Sequence, residues 1–322
     1  MQATGTTMAR HWLGSALGAF AALAVARQAA SADAGMRNID FPGSYTTRPN
    51  AINDHGVVAG SYAQTAAPDE GHGFIRTKDG VFVSFDAPGG KGRTGAEAIN
   101  ASGSVTGIYA DKSQHDHGFV RDADGTITTF DAPDASDILP FAINDRGAIT
   151  GYAIGDDHHY HGFLRTSRGK LSSFDVPDAD DTYAVAINRD GAITGDYDDS
   201  DGTHGFVRDP GGSYTTFDIP DVNDAAVAPA AINASGEIAG TWQSTDNYTF
   251  HGFVRTVDGT ITTLSLGSNT YATAIDDSGA IAGYYDSQGF VLAPDGDITA
   301  LNYPGANETF AVSIAATGAV TG

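Results

Sequence analysis

The chain has 322 residues, of which 41% are hydrophobic, 18% are charged and none is cysteine. Its 40 acidic and 17 basic residues give a formal net charge of −23, which argues against nucleic acid and anionic membrane surfaces as partners. Without disulfides, the fold must be held by core packing.

The first 34 residues follow the order of segments in a secretory signal peptide. A basic start at Arg10 precedes an apolar run from Trp12 to Ala26, and small residues around Ala32 offer a cleavage site. The apolar run is too short to span a membrane. We therefore expect residues 1–34 to be removed on export. The mature protein would then be secreted, extracellular or periplasmic, with no membrane insertion.

From residue 36 to residue 322 the chain is a tandem array of one unit, seen most clearly from Thr182 to Pro220. Short apolar runs alternate with Gly, Asp and Asn turns, which predicts four strands, A to D, joined by hairpins without helices. One A-strand isoleucine recurs at steps of 39 to 47 residues, as Ile52, Ile99, Ile143, Ile187, Ile232, Ile275 and Ile314. Four strands in such a repeat are the signature of a β-propeller blade, so we predict an all-β propeller.

The two ends of the array predict how the ring closes. Asn38 to Phe41 matches the end of a D strand but has no A, B or C strand before it. The seventh copy begins at Phe310 and stops at Gly322, before its C strand. We therefore predict six complete four-stranded antiparallel blades and a partial seventh, closed by the N-terminal strand so that no sheet edge is exposed. We also expect the chain to be a fragment of a longer product.

Loop lengths distinguish the two faces of the predicted disc. The A-strand Ile and the B-strand Gly are 8 residues apart in all seven copies, whereas the B-strand Gly and the C-strand Phe are 7 to 14 apart. In an up-and-down blade the B-to-C and D-to-A links share one face, which we call the variable face, and the constant turns share the other, the constant face. Because binding residues usually lie on variable loops of a rigid scaffold, we predict that the variable face binds a ligand.

The motif His-Gly-Phe opens strand C in five copies, and strand D ends in Phe-Asp in four of them. The His and Asp residues are His72, His117, His161, His204, His251, Asp86, Asp131, Asp175 and Asp218. With the B-strand tyrosines they could be interpreted as an acid/base set. We favour a structural hydrogen-bond network, because an active site is normally assembled once. The C-strand phenylalanines are predicted to be buried between blades.

His-Gly-Phe, together with the preceding Asn-x-x-Gly turn and the following Phe-Asp-x-Pro, resembles the HAF family of extracellular bacterial repeats. The resemblance covers residues 37 to 322. It implies export and a repeat fold, and it carries no established activity. The sixth copy departs from the pattern, with Gln288 in place of His and Leu301-Asn302 in place of Phe-Asp.

Blade 5 differs from the other copies in the aromatic residues of its B-to-C link. Flat rings beside amide groups suit a sugar ring, which offers a face to stack on and hydroxyls that form hydrogen bonds. The predicted ligand-binding residues are Trp242, Tyr248, Phe250 and Asn247, with the B-strand tyrosines Tyr109 and Tyr197. The alternative is that one or two of the blade 5 rings pack between blades.

Two loops contain metal-ligand residue types. Blade 3 has His158, His159 and His161, and blade 4 has Asp199 and Asp201 in an incomplete calcium-loop pattern. Neither loop has a spacing that fixes ligand geometry, so we favour solvated loops and predict no metal. No nucleotide or phosphate motif is present, so we predict no cofactor.

These observations favour a monomeric secreted binding module for a glycan or another extracellular polymer. One alternative is a structural surface protein without a small ligand. Another, less favoured, is a polysaccharide hydrolase or lyase on a propeller scaffold.

Overall fold

The structure, a computed structural model, describes residues 36–67, 70–90, 93–222, 225–245 and 248–322. The predicted signal peptide and Asn247 lie outside these residues. Within the described ranges no helix is long and apolar enough to cross a membrane.

The described residues form an all-β fold of four-stranded sheets, one for each of the first six repeats. The strands of blades 1 to 3 are β1 (Thr46–Ile52), β2 (Val58–Ala63), β3 (His72–Arg76), β4 (Phe82–Phe85), β5 (Thr94–Ile99), β6 (Val105–Ala110), β7 (Asp116–Arg121), β8 (Ile127–Phe130), β9 (Ala135–Ile143), β10 (Ile149–Gly155), β11 (Tyr160–Arg165) and β12 (Leu171–Phe174). Each sheet is an antiparallel meander in chain order, as predicted.

Blades 4 to 6 repeat the same order. Their strands are β13 (Asp181–Ile187), β14 (Ile193–Asp199), β15 (Gly202–Arg208), β16 (Tyr214–Phe217), β17 (Ala226–Ile232), β18 (Ile238–Gln243), β19 (Phe250–Arg255), β20 (Ile261–Leu264), β21 (Thr270–Ile275), β22 (Ile281–Tyr285), β23 (Gln288–Leu292) and β24 (Ile298–Leu301). The first strand of each blade contacts the first strand of the next, so these strands surround the centre. The result is a six-bladed β-propeller.

The seventh copy does not form the predicted partial blade. It forms a two-stranded sheet, β25 (Ser313–Ile314) and β26 (Val320–Thr321), with two residues in each strand. This terminal sheet contacts the first strands of blades 6 and 1. The Ile52 amide donates to Ser313 Oγ at 3.3 Å, and the Ala316 amide donates to Asp54 Oδ1 at 2.7 Å.

The predicted N-terminal clasp strand is also wrong. Residues 38–41 form no strand, because no C strand stands beside them to supply backbone partners. Their side chains pack on blade 1 instead. Phe41 stacks on Tyr62 with ring centroids 3.7 Å apart and contacts Phe82 at 5.3 Å. The Phe41 amide donates to Thr47 Oγ1 at 2.9 Å.

The core lies between blades, as the repeat predicts. The six C-strand phenylalanines are all 0% exposed: Phe74, Phe119, Phe163, Phe206, Phe253 and Phe290. Five of the seven A-strand isoleucines are buried, while Ile52 and Ile99 are half-buried. The Gly of His-Gly-Phe accommodates the D-strand ring, since a Cβ at Gly73 would lie 2.5 Å from Phe85.

In blades 2 to 5, the arginine that ends strand C connects the blade to the preceding one. Its guanidinium carbon lies 4.7 to 5.2 Å from the D-strand phenylalanine ring of that blade, a cation–π distance. The pairs are Arg121–Phe85, Arg165–Phe130, Arg208–Phe174 and Arg255–Phe217. Blade 6 has Leu292 in place of the Arg, and blade 5 has Leu264 in place of the Phe. Both partners are therefore replaced together.

A chain of buried asparagines explains why the A-to-B turn never varies in length. Asn144 Oδ1 accepts hydrogen bonds from the Arg146 and Ala148 amides of its own turn, at 3.1 and 2.9 Å. Its Nδ2 donates to the Asn188 carbonyl of the next blade at 2.9 Å. The same interblade bond runs from Asn53 to Asn100, Asn100 to Asn144, Asn188 to Asn233 and Asn233 to Asp276. One side chain thus fixes the turn and links two blades.

Candidate functional site

The predicted His–Asp pairs form in blades 1 to 4. Each His Nδ1 lies 2.5 to 2.8 Å from Oδ1 of the Asp that ends strand D. The pairs are His72–Asp86, His117–Asp131, His161–Asp175 and His204–Asp218. They join strands C and D at the variable face.

A second carboxylate faces the other nitrogen of each of these imidazoles. It comes from the B-to-C link and lies 3.2 to 3.8 Å from Nε2. The four residues are Glu70, Asp111, Asp157 and Asp199. A neutral imidazole has one N–H, so both contacts are favourable only when the ring is protonated. We call each carboxylate–imidazole–carboxylate set a clamp.

The clamps in blades 3 and 4 shift the pKa values of their members. Burial alone would lower the pKa of His204, but the hydrogen bonds and charges of Asp218 and Asp199 outweigh it, so the pKa is raised. The pKa of His161 is raised in the same way by Asp175 and Asp157, against burial. These imidazoles hold a proton more firmly than an isolated His.

Blade 5 has a different arrangement. Its D strand ends in Ser265 rather than Asp, and His251 is only 2% exposed. His251 Nε2 lies 2.6 Å from Thr249 Oγ1, and burial lowers the pKa of this imidazole to about 3. This buried His, with its lowered pKa, contrasts with His161 and His204 in the clamps of blades 3 and 4, whose pKa is raised.

The structure corrects the predicted role of three aromatic residues. Trp242 is 1% exposed and packs between blades with Val227 and Phe253, so no ligand can stack on it. Tyr109 and Tyr197 are 7% and 8% exposed. All three occupy the same B-strand position, whose side chain points into the interblade core beside the C-strand imidazole of its own blade. The sequence shows the position but not which way it faces.

The other predicted binding residues have different surroundings. Tyr248 is 73% exposed and has a left-handed φ of 56°, which presents its ring to solvent. Phe250 is half-buried and begins a row of contacting rings that runs from blade 5 through blade 6 to Phe310, with the last contact T-shaped. Successive ring centroids in Phe250, Tyr271, Tyr284 and Phe310 lie 5.7, 4.5 and 4.7 Å apart.

Exposed aromatic side chains in the described part of the chain lie on the variable face. They are Tyr45, Tyr248, Tyr303 and Phe310, with exposed fractions from 39% to 73%. Each lies in or next to a B-to-C or D-to-A link. Sequence reasoning missed Tyr45, Tyr303 and Phe310. The repeat has no aromatic residue in its D-to-A links, so an aromatic residue in such a link was the available signal in the sequence.

The candidate metal ligands do not converge. His158 is exposed, while His159 Nδ1 pairs with Asp181 at 3.1 Å and His161 belongs to its clamp. Asp199 Oδ1 accepts the Asp201 amide at 2.8 Å within its own turn. Among the residues that the structure describes, no group of three or more His, Cys, Asp or Glu side chains could hold a metal ion.

Sequence reasoning also missed a carboxylate beside the central channel. Glu97 stands at the extra residue of the A-strand bulge in blade 2, where blades 3 and 4 have Phe141 and Val185. Asn50 of blade 1 donates from Nδ2 to Glu97 Oε2 at 3.4 Å and to the Ala96 carbonyl at 2.9 Å. Although part of the Glu97 side chain contacts solvent, it is surrounded by protein. Burial raises its pKa to about 7, with the nearby charge of Arg48 acting in the opposite direction.

Comparison with family models finds no match for this sequence, and neither does comparison with curated proteins. Solved structures do match. A catalytically inactive variant of virginiamycin B lyase from Staphylococcus aureus, with quinupristin, has a TM-score of 0.58 at 16% identity, over 86% of this chain and 91% of that one. A puromycin hydrolase has a TM-score of 0.59 at 15% identity, over 86% of this chain and 50% of that one.

TolB from Acinetobacter baumannii has a TM-score of 0.53 at 16% identity, over 77% of this chain and 66% of that one. At such identities these similarities show the fold alone. Together with the six sheets they place the chain in the β-propeller class.

Proposed function

We propose that this chain is a secreted β-propeller binding module, of the HAF repeat type, that binds an extracellular glycan on its variable face. The observation that supports it most is the placement of the exposed aromatic rings Tyr45, Tyr248, Tyr303 and Phe310 on that face. Aromatic rings combine a flat apolar surface with an accessible edge, which suits the faces of sugar rings. Aromatic platforms on one face are what a glycan-binding module requires.

The distribution of these rings favours an extended polymer over a compact ligand. Tyr45 adjoins blade 1, Tyr303 follows blade 6 and Tyr248 belongs to blade 5, so the rings span several blades. Each ring contributes weakly, and useful affinity would come from several blades that engage one polymer. The formal charge of −23 favours a neutral or cationic polymer.

The clamps support a binding module rather than an enzyme. The His and Asp residues that could serve as an acid/base set recur in four blades, with a B-strand tyrosine in three of them, and their carboxylates already contact the imidazoles. Such repetition is expected of a scaffold that holds the B-to-C links in place.

The test is a glycan array probed with the mature protein, run in parallel with a polysaccharide-degradation assay on the same polymers. Binding without product release supports the module. Release of oligosaccharides would instead favour the hydrolase or lyase alternative, and silence in both assays would favour the structural surface protein.

A further inference from the structure

Near the variable face, the interface between blades 1 and 2 lacks the aromatic side chains that fill the interface between blades 3 and 4. There Tyr152 and Tyr160 of blade 3 pack against Tyr183 of blade 4, with ring centroids 5.2 and 4.9 Å from the Tyr183 ring. Phe141 lies 5.1 Å from Tyr152. Four aromatic rings fill the space beside the channel.

Strand registers identify the equivalent residues between blades 1 and 2. Tyr152 pairs with Leu139 in blade 3, and Ser61 pairs with Arg48 at the same register in blade 1. Tyr183 pairs with Asp196 in blade 4, and Gly95 pairs with Ile108 at the same register in blade 2. The equivalents of Tyr152, Tyr160, Tyr183 and Phe141 are therefore Ser61, Gly71, Gly95 and Asn50. Three tyrosine side chains are replaced by one hydroxymethyl group and two hydrogens.

Few described atoms surround the two glycines. Among the residues that the structure describes, a Cβ at Gly71 would have one heavy atom within 4 Å, the Thr94 carbonyl oxygen at 3.8 Å. A Cβ at Gly95 would likewise have one described neighbour, Glu97 Oε1 at 3.0 Å. We call this region, bordered by Ser61, Gly71 and Gly95, the blade 1–2 notch.

Polar groups converge on the notch. Glu97 Oε1 points towards Gly95, and Asn50 holds the other carboxylate oxygen through its Nδ2. Arg48 is close enough for its charge to act on Glu97. An anionic acceptor, with a cationic side chain near enough for its charge to act on it, therefore borders the notch beside Ser61.

We propose that the blade 1–2 notch is a subsite for one sugar unit, in which Glu97 accepts hydrogen bonds from neighbouring hydroxyls and Arg48 donates to a hydroxyl oxygen. A hydroxyl both donates and accepts, so it uses both partners, whereas a simple cation or anion would meet one partner of the wrong charge. Asn50 is a positioning residue that orients the carboxylate. The inference rests on the proposed glycan binding and assigns a site within it.

The experiment measures binding of four methyl glycosides, those of glucose, galactose, mannose and N-acetylglucosamine, by ligand-observed NMR titration of the mature protein. Gly71→Tyr restores the ring found at Tyr160 and should abolish binding. Thr203→Tyr, the same change at the equivalent position of blade 4, is the matched control and should bind like wild type. Glu97→Gln keeps the shape and should weaken binding about tenfold, the effect of losing hydrogen bonds to a charged acceptor.

The pH dependence gives a second readout that a merely structural role would not produce. Because burial raises the pKa of Glu97 to about 7 against the charge of Arg48, lowering the pH through neutrality protonates the acceptor. Binding by wild type should weaken over that range, and binding by Glu97→Gln should not change. A pH-independent wild type would overturn the assignment to Glu97.

The outcomes separate this inference from the proposed function. Binding that survives both Gly71→Tyr and Glu97→Gln overturns the notch, as does a wild type that binds polymers but none of the four glycosides. After either of these results, loss of polymer binding in aromatic variants of the variable face would still support the proposed glycan-binding function. If Gly71→Tyr fails to fold, judged by its melting curve, Glu97→Gln decides the result.

Discussion

His204 shows what the repeated imidazole does, because both of its ring nitrogens face carboxylates. Nδ1 lies 2.6 Å from Asp218, and Nε2 lies 3.2 Å from Asp199. The first bond joins strands C and D, and the second holds the B-to-C link to strand C. A clamp therefore fixes the base of a loop on the variable face, and it does so best when the imidazole is protonated.

The first prediction follows from the raised pKa of His204. A pKa higher in the folded than in the unfolded state adds stability that is complete below the unfolded value of about 6.5 and is lost as pH rises through the folded value. The difference in Tm between wild type and His204→Gln should therefore be largest near pH 5.5 and should shrink by about pH 8. Because the clamp is partly exposed, we expect a difference of roughly 2 °C or less.

Thermal melts of both proteins across this pH range check the prediction. His251→Gln is the control for a non-clamp His, because burial lowers the pKa of His251 in the folded protein to about 3. The unfolded imidazole takes up a proton below about pH 6.5, so the contribution of His251 to stability should fall as pH falls, opposite to that of His204. A His204→Gln difference that grows with rising pH would show that the imidazole is not held protonated by Asp218 and Asp199.

At the scale of elements, blades are joined by two kinds of side-chain contact. Arginine–phenylalanine pairs join strand C of one blade to strand D of the preceding one, while the asparagine chain joins successive A-to-B turns. The first is a cation–π stack and the second is a buried hydrogen bond. Both kinds cross from one repeat to the next, so they stabilise the ring and not the single blade.

A double-mutant cycle on Arg165 and Phe130 tests the stacked contact. The guanidinium lies 4.7 Å from the ring centroid, and Arg165 is 8% exposed. We predict a coupling free energy of roughly 0.5 to 2 kcal/mol between Arg165→Leu and Phe130→Leu, from chemical denaturation. The double variant reproduces the Leu264 and Leu292 pair between blades 5 and 6. Strictly additive effects would mean that the stack contributes nothing beyond packing.

Substitutions at Asn144 separate its two roles. Asn144→Ala removes the turn cap and the interblade bond, which should cost about 2 to 4 kcal/mol of unfolding free energy for two or three lost hydrogen bonds. Asn144→Asp keeps the cap, as Asp276 does naturally, and loses only the donor to Asn188. Its cost should be clearly smaller. Equal losses in denaturant melts would contradict the division into cap and link.

The sequence predicted the elements well where the repeat was intact and poorly where register decided the outcome. The C-strand phenylalanines recur in all six complete copies, so their burial could be expected from period-two alternation. Trp242 could not be placed this way, since its direction depends on which blade face the B-strand position meets. Glu97 could not be recognised from the sequence either, since it occupies a bulge that only the pairing of the strands reveals.

At the scale of the whole molecule, the number of repeats was easier to predict than the way the ring ends. Residues 38–41 resemble a D strand, but a strand needs a neighbour to accept its backbone hydrogen bonds. The terminal sheet stops at strand B, so Phe41 gains more by packing on Tyr62 of blade 1. The hydrogen bonds from Ile52 and Ala316 then join blade 1 to the terminal sheet.

The two faces of the propeller differ, and the proposed function depends on that difference. The constant face is occupied by turns whose asparagine side chains are engaged within and between blades, whereas the variable face presents exposed rings. Binding should therefore depend on one face only. The clamps hold the links of that face without using its aromatic side chains.

The most direct test compares aromatic variants of the variable face with a variant of the other face, using the polymer that a glycan array selects. Tyr303→Ala and Tyr248→Ala should each weaken binding by a few-fold, and together by about tenfold or more, at unchanged Tm. Val257→Ala, which alters a 62% exposed apolar residue in a C-to-D turn of the constant face, should bind like wild type. Titration calorimetry that found full affinity in the double aromatic variant, or lost affinity in Val257→Ala, would contradict the claim that the variable face is the binding face.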